Sequence, residues 1–312
     1  MTSLLTAILG VFGYVFLGFL IKKINIVSAK IFRFYNFFSF NLLLPIALIT
    51  NFWNIVFPQL IVYELVITFF GSGVIIFIIG FFISKKFFFL KTDDSALFGL
   101  GACFGNSVAF GIPLMYSLFG PIGAMPYMIL VLFHGLIHFT YTTLIIEVYR
   151  NKKLPSLKLI LKIIIGLLKN VVLFGIFMGL FLNASNISMP NILEIILTPL
   201  SKIALPAVLI SLGMTLGSFK IMNNVSHYLV LTGLKNFIHP IIAFIIGKYL
   251  FLMPSTLVII ATLAAALPSG SQTYYFSYRY DSPIKQTITS NIAISTFVSF
   301  FTLSSLIIIF DY

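Results

Sequence analysis

Apolar stretches of membrane-crossing length succeed one another along almost the whole chain, separated only by short polar turns. In hydrocarbon no water satisfies a backbone N–H or C=O, so such a stretch must close its hydrogen bonds internally, as a helix. A crossing helix needs about 20 apolar residues. Ten spans are read, at roughly 3–21, 30–52, 59–83, 95–118, 124–148, 170–183, 190–217, 226–250, 254–280 and 286–310. No polar stretch between them is long enough to close a soluble core. The composition, 60% hydrophobic and 8% charged, asks for lipid as the solvent. The first span lacks a basic leader and an A-x-A cleavage site, so it reads as retained.

The basic residues orient these spans. Lys22, Lys23, Lys30 and Arg33 follow the first; Lys85, Lys86 and Lys91 follow the third. Arg150, Lys152, Lys153, Lys158, Lys162 and Lys169 follow the fifth, Lys220 follows the seventh, and Arg279 and Lys285 flank the turn after the ninth. The alternate turns at 53–58, 119–123 and 184–189 carry none. Lys and Arg collect in cytoplasmic loops, so both termini are expected outside, in the cell (inner or plasma) membrane. The net charge of +12 is then accounted for without a nucleic-acid partner. The stretch 155–169 is amphipathic. It is expected to lie in the cytoplasmic interface against anionic membrane lipid, or else to extend the sixth span. The sole cysteine, Cys103, excludes an intrachain disulfide and a cysteine metal cluster.

The chain repeats itself. NLLLPIALIT (41–50) resembles KIALPAVLIS (202–211), with Pro45 falling on Pro206, and VFGYVFLGFL (11–20) resembles LFGIFMGLFL (173–182) at nearly the same offset. Spans 1–5 thus recur as spans 6–10. Five is odd, so the second unit enters the membrane from the opposite side. The expectation is two inverted five-span repeats, 1–148 and 170–312, joined by a basic cytoplasmic linker over 149–169.

Two polar breaks interrupt the spans at that same offset: GNSVAFGIPL (105–114) in the fourth and AALPSGSQTYYF (265–276) in the ninth. Proline removes a donor and clashes with the preceding turn; glycine admits unusual dihedrals. Irregular backbone at membrane depth survives only where protein or a cavity encloses it. The expected fold is an all-α membrane protein of ten transmembrane helices, with broken helices 4 and 9 crossing near the midplane. Each second half would begin there with free N–H groups and the positive end of its dipole. That is an anion site built without arginine. Asn106, Ser107, Ser269 and Gln272 would add neutral hydrogen bonds. The alternative is a pair of proline kinks that relieve packing.

Other polar residues lie at membrane depth. His134 and His138 share one face of span 5. Their spacing suits a metal ion, a cavity-lining hydrogen bond or proton role, or helix packing; with four histidines in the chain and no nearby carboxylate, no metal is expected. Lys202 lies inside span 7, where a charge is costly. It could pair with Glu194 or snorkel outward, and its repeat counterpart is Asn41. Lys235 in span 8 could help hold a substrate anion or reach the cytoplasmic headgroups. No Ser–His–Asp set, paired carboxylate or P-loop occurs. Neither catalysis, a cofactor nor ATP-driven transport is expected within this chain.

The motifs resemble those of the auxin efflux carrier family. GNSVAFGIPL resembles its GNT-x-x-x-GIPLL in the fourth span, and AALPSG followed by FSYRYD resembles AALPxG…F-A-x-x-Y in the ninth. Asn36 with Pro45 resembles its second-span N-x8-P pattern, and Lys235 with Pro240 an Arg-x4-Pro element in the eighth. The resemblance covers the whole chain. It implies a bile-acid-transporter-like fold, with spans 1, 2, 6 and 7 as a scaffold, often dimeric, and spans 3–5 and 8–10 as a moving transport domain. Asn106, Gly111 and Pro113 match the family's span-4 crossing, and Pro268 and Gly270 its span-9 crossing. Ser107 stands where plant members have Thr, and Ser269 where they often have Gln, which implies a smaller or more polar anion than indole acetate. The long cytoplasmic loop of many plant members is absent.

The expected function is secondary transport of a small organic anion, a carboxylate held by Asn106, Ser107, Ser269, Gly270 and Gln272. An inside-negative potential favours anion exit by about 2.3 kcal/mol per charge per 100 mV. Potential-driven export or proton-linked movement is therefore favoured over sodium symport, for which carboxylate ligands are lacking beside the breaks. A ligand sensor that kept the fold and lost transport is a second reading, and a membrane-embedded metalloenzyme built on His134 and His138 a third.

Overall fold

The computed structural model describes residues 2–53, 63–151, 165, 171–219 and 225–310. The amphipathic stretch 155–169, apart from Ile165, lies outside the described residues, as do Lys220 and most of the linker over 149–169. Twelve helices are named here in chain order: α1 (Thr2–Lys23), α2 (Ala29–Trp53), α3 (Tyr63–Phe87), α4 (Thr92–Cys103), α5 (Ile112–Gly123) and α6 (Met125–Asn151), then α7 (Val171–Ala184), α8 (Asn191–Ser218), α9 (Val225–Leu250), α10 (Ser255–Ala266), α11 (Gln272–Arg279) and α12 (Lys285–Ile309). Among the described residues no β-strand occurs, only one isolated bridge between Gly105 and Ser269.

Six of these helices, α2, α3, α6, α8, α9 and α12, are long and apolar enough to cross a bilayer. Spans 4 and 9 each come as two short helices, α4 with α5 and α10 with α11, separated by extended backbone. The helix breaks at Phe104, two residues before Asn106, and its second half opens on a π-turn, Ser107–Gly111. Pro113 follows directly on the π-turn, where its fixed φ suits the helix and its missing N–H leaves one carbonyl of that turn without a helical partner.

Two styles of packing divide the molecule. α1 lies along α8, and α2 along α7. At the first contact Gly18 abuts the Ile210 backbone and Gly213 the Val15 backbone, so closely that any side chain at either position would strike a carbonyl. Small residues let membrane helices approach in this way. The remaining helices hold most of the buried polar groups, among them Asn106, His134, His138, Lys235, Asn236, His239, Ser269, Asn291 and Ser295. At the far ends of the broken helices, Arg150 pairs with Asp93 at 2.9 Å and donates to the Tyr280 carbonyl at 3.0 Å, while Ser282 Oγ donates to Asp94 Oδ1 at 2.6 Å.

Candidate functional site

The two breaks meet. Asn106 N donates to Pro268 O at 2.8 Å and Gly270 N donates to Phe104 O at 2.9 Å, an antiparallel pair of bonds across the crossing. Each break thus supplies partners for backbone groups that the other's helix end leaves open, which hydrocarbon would not. The approach is close at Gly270. A Cβ there would lie 2.6 Å from the Phe104 ring and 2.8 Å from the Gly105 carbonyl. Gly105 is roomier, its nearest neighbours being Leu267 at 3.5 Å and the Lys235 side chain at 3.6 Å.

The second break is braced around Ser269. Ser269 N donates to Ser295 Oγ at 2.9 Å, and Ser269 Oγ donates to Gly101 O at 3.1 Å. Ser295 Oγ donates to Asn236 Oδ1 at 2.6 Å, and Asn291 Nδ2 donates to Gly101 O at 3.3 Å. Gly101 lies in the last turn of α4, whose carbonyls have no helical partner. Asn236, Asn291 and Ser295 were not singled out from the sequence. An amide inside an apolar span was the available signal, but nothing local joins α9 and α12 to the break.

The first break is only partly braced. Tyr127 Oη donates to Ser107 O at 2.7 Å, and its hydroxyl fills the space that a side chain at Gly111 would need. Ser107 Oγ lies 2.8 Å from His134 Nδ1. The Asn106 backbone carbonyl accepts from Phe110 N and Gly111 N. Its side chain, 1% exposed, has no partner at either Oδ1 or Nδ2. Asn is among the best helix N-caps, yet this one makes no capping bond. Gln272 Oε1, at the start of α11, is likewise buried and unbonded.

A cavity of about 60 Å³ adjoins the crossing, lined by Gly105, Ser107, His134 and Gln272 and closed on one side by Val172 and Leu173 of α7. A larger cleft of about 370 Å³ opens between α9 and α12. Its walls are chiefly apolar and its one amide, Asn236, is committed to Ser295, so it offers an anion no convergent polar groups.

Lys235 is fully buried beneath the crossing. Its Nζ donates to the Ala265 carbonyl in the last turn of α10 and lies 3.5 Å from His239 Nδ1. It reaches no headgroup. A cation at a helix C-terminus is favourable, and its charge stands directly behind Gly105. His134, His138 and His239 gather around Phe69 and Phe104 in the same interior. Among the described residues no group of three or more ligating side chains is arranged to hold a metal ion. Lys202 and Asn41 lie elsewhere. Lys202 is exposed on α8 with no ion pair to Glu194, and Asn41 is exposed with Nδ2 donating to Phe37 O of its own helix.

Apolar spanning helices, with two broken ones crossing inside the protein, define an integral membrane protein of the transporting class. The profile of a family described as membrane transport protein matches residues 3–308, and the chain belongs to that family, the auxin efflux carrier group its motifs resemble. It is a family of transporters, not of enzymes. No individual curated protein matches the chain.

Proposed function

We propose that the chain is a secondary transporter of small organic anions, with the crossing as its binding site. The observation that carries this reading is the Asn106 carboxamide, buried beside the crossing with neither polar atom bonded. A buried polar group without a partner is rare and asks for an explanation. A carboxylic ligand supplies it: its oxygens accept from Asn106 Nδ2, from Ser107, and from N–H groups at the starts of the π-turn and of α11, and a hydroxyl or acid proton on the same molecule donates to Asn106 Oδ1. Ser269 and Gly270 hold the opposite strand in place, and Lys235 adds positive potential from behind. Gly111, Pro113 and Pro268 shape the crossing rather than touch the ligand.

Movement is of the elevator type. α1, α2, α7 and α8 form the scaffold, through which two copies associate, and the rest of the chain slides against it. The two packing styles support that division, and the present cavity is too small for a dicarboxylate without such movement. The chain is two inverted five-span repeats with both termini outside the plasma membrane. Transport is potential-driven export or linked to protons.

The test is uptake of labelled malate, malonate and indole acetate into proteoliposomes, beside Asn106→Ala. Saturable uptake that the variant loses is the expected result. Undiminished uptake by the variant would move the site away from the first break.

A further inference from the structure

Three imidazoles are buried in the same interior, and in each the Nε2 atom has no hydrogen-bond partner. Packing alone does not account for this, since each unmade bond is a cost that an apolar ring would avoid. Their tautomers are set by their other nitrogens. His138 Nδ1 lies 2.9 Å from the His134 carbonyl, which can only accept, so Nδ1 carries the hydrogen and Nε2 of the neutral ring is a bare acceptor. His239 Nδ1 faces the Lys235 ammonium, a donor, so in the neutral ring the hydrogen sits on Nε2. An unused acceptor on α6 and an unused donor on α9 therefore stand in one interior.

They converge on Gly73 of α3. A Cβ there would lie 2.9 Å from His138 Nε2 and 3.9 Å from His239 Nε2. Glycine leaves open the space between the two nitrogens that any other residue would fill. From this pair the polar groups lead to the crossing. The His138 ring stacks on His134 at 4.7 Å, and His134 Nδ1 meets Ser107 Oγ at 2.8 Å.

We propose that His138 and His239, meeting over Gly73, form a proton-loading site that carries one proton with each anion moved. The proposal rests on the transport reading above and makes it proton-linked. The groups that face the pair are few. α3 offers Phe69, Phe70 and Gly73, none titratable; α4 offers Cys103, bonded to Tyr141 of α6; α6 also offers His134, stacked on His138; α9 offers Lys235; α10 offers the Ala265 carbonyl. No carboxylate is among them. With the Lys235 ammonium 3.5 Å from His239, a second positive charge in this low-dielectric interior is strongly disfavoured on its own. An anion at the crossing offsets that repulsion, so anion binding and proton binding favour each other, reciprocally. The proton comes from the water on the loading side, adds to His138 Nε2, and leaves to water on the other side when the anion departs. A monoanion then moves with no net charge from this pair.

The test uses proteoliposomes holding a pH-sensitive dye, with the potential clamped at zero by valinomycin and equal potassium. Inward malonate is expected to acidify the lumen in the wild type. His239→Gln and Gly73→Ala should keep labelled-malonate counterflow at saturating malonate, which also reports that they fold, but with a raised KM, and should lose the acidification; His227→Gln, changed at the histidine in the first turn of α9 against Phe88, should keep both at the wild-type KM. Counterflow without acidification in the wild type, or acidification retained in His239→Gln, overturns the proposal. Absence of wild-type counterflow with malate, malonate and indole acetate overturns the transport reading instead. In that event the pair is read by ¹⁵N-histidine NMR in nanodiscs, where only four histidines contribute. His239→Gln is then expected to move the pH titration of His138 and leave that of His227 in place, and an unmoved His138 overturns the proton site.

Discussion

The two breaks occupy matching places in the sequence and meet in one backbone bridge, yet they are satisfied to different degrees. In the second, the Ser269 amide and hydroxyl both have partners, the Gly270 amide is bonded to Phe104, and the Gly270 carbonyl accepts from Thr273. In the first, the Asn106 side chain has none. An unmet buried polar group costs about 1–3 kcal/mol, and such a cost persists where a ligand removes it. Matched position therefore does not imply matched role. At the bridge itself the second break is bonded at Ser269 and Gly270, and the unbonded atoms, those of the Asn106 side chain and Gln272 Oε1, are the ones the proposed site would use.

The strongest way to break this comparison is at the glycines. Gly270→Ala places a methyl 2.6 Å from the Phe104 ring and 2.8 Å from a carbonyl, and neither can yield without opening the bridge. Gly105→Ala meets its neighbours at 3.5 Å and 3.6 Å, ordinary contact distances. Gly270→Ala is expected to abolish counterflow and to cost about 1–3 kcal/mol in stability, whereas Gly105→Ala keeps most of its flux. Equal flux from the two variants would mean that the bridge is not rigid.

A second pair separates bracing from binding. Ser295→Ala strips the Ser269 amide of its acceptor and Asn236 Oδ1 of its donor. Its expected cost is about 1–3 kcal/mol, seen as a lower melting temperature in detergent. Asn106→Ala removes no bond, so its melting temperature should match or exceed the wild type while its flux is lost. The reverse order of melting temperatures would sink the division of roles. Tyr127→Phe tests a side-chain brace of the first break, the bond to Ser107 O. A loss of about 1 kcal/mol is expected, measurable by the same melting experiment.

Both breaks were legible because their chemistry is local: Asn, Ser, Gln, Gly and Pro stand out within apolar spans. The six long helices were legible from length and hydropathy alone. The point at which the helix breaks was not, because Phe104 carries no sign of the extended backbone that its pairing with Gly270 imposes. Lys235 was visible as a charge in a span, but nothing local said whether it turns to headgroups or, as found, to the Ala265 carbonyl. His239 and Gly73 were silent for a related reason. A lone histidine and a lone glycine acquire meaning only when α3, α6 and α9 are packed together, and no spacing along the chain encodes that contact.

The smallest expected effect concerns the far ends of the same broken helices. Asp94, just before the fourth span, is joined to the turn after α11 through Ser282 at 2.6 Å. Burial is the main influence raising its carboxyl above the usual range, with Asp93 adding to it; the Ser282 bond, then Arg150 and Lys91, work against the rise. An acid whose value is higher folded than unfolded binds its proton more tightly when folded. Its contribution to stability is complete below the ordinary carboxylate value of about 4 and is lost as pH rises through the raised one. Asp94→Asn has no such loss and still offers Ser282 an oxygen to bond. Raising the pH from acid to neutral should therefore cost the wild type more stability than the variant, by less than about 1 kcal/mol at this partly solvated end. Melting temperatures across that range decide it. A wild type that gains on the variant as pH rises would show that Arg150 and Ser282, rather than burial, govern Asp94.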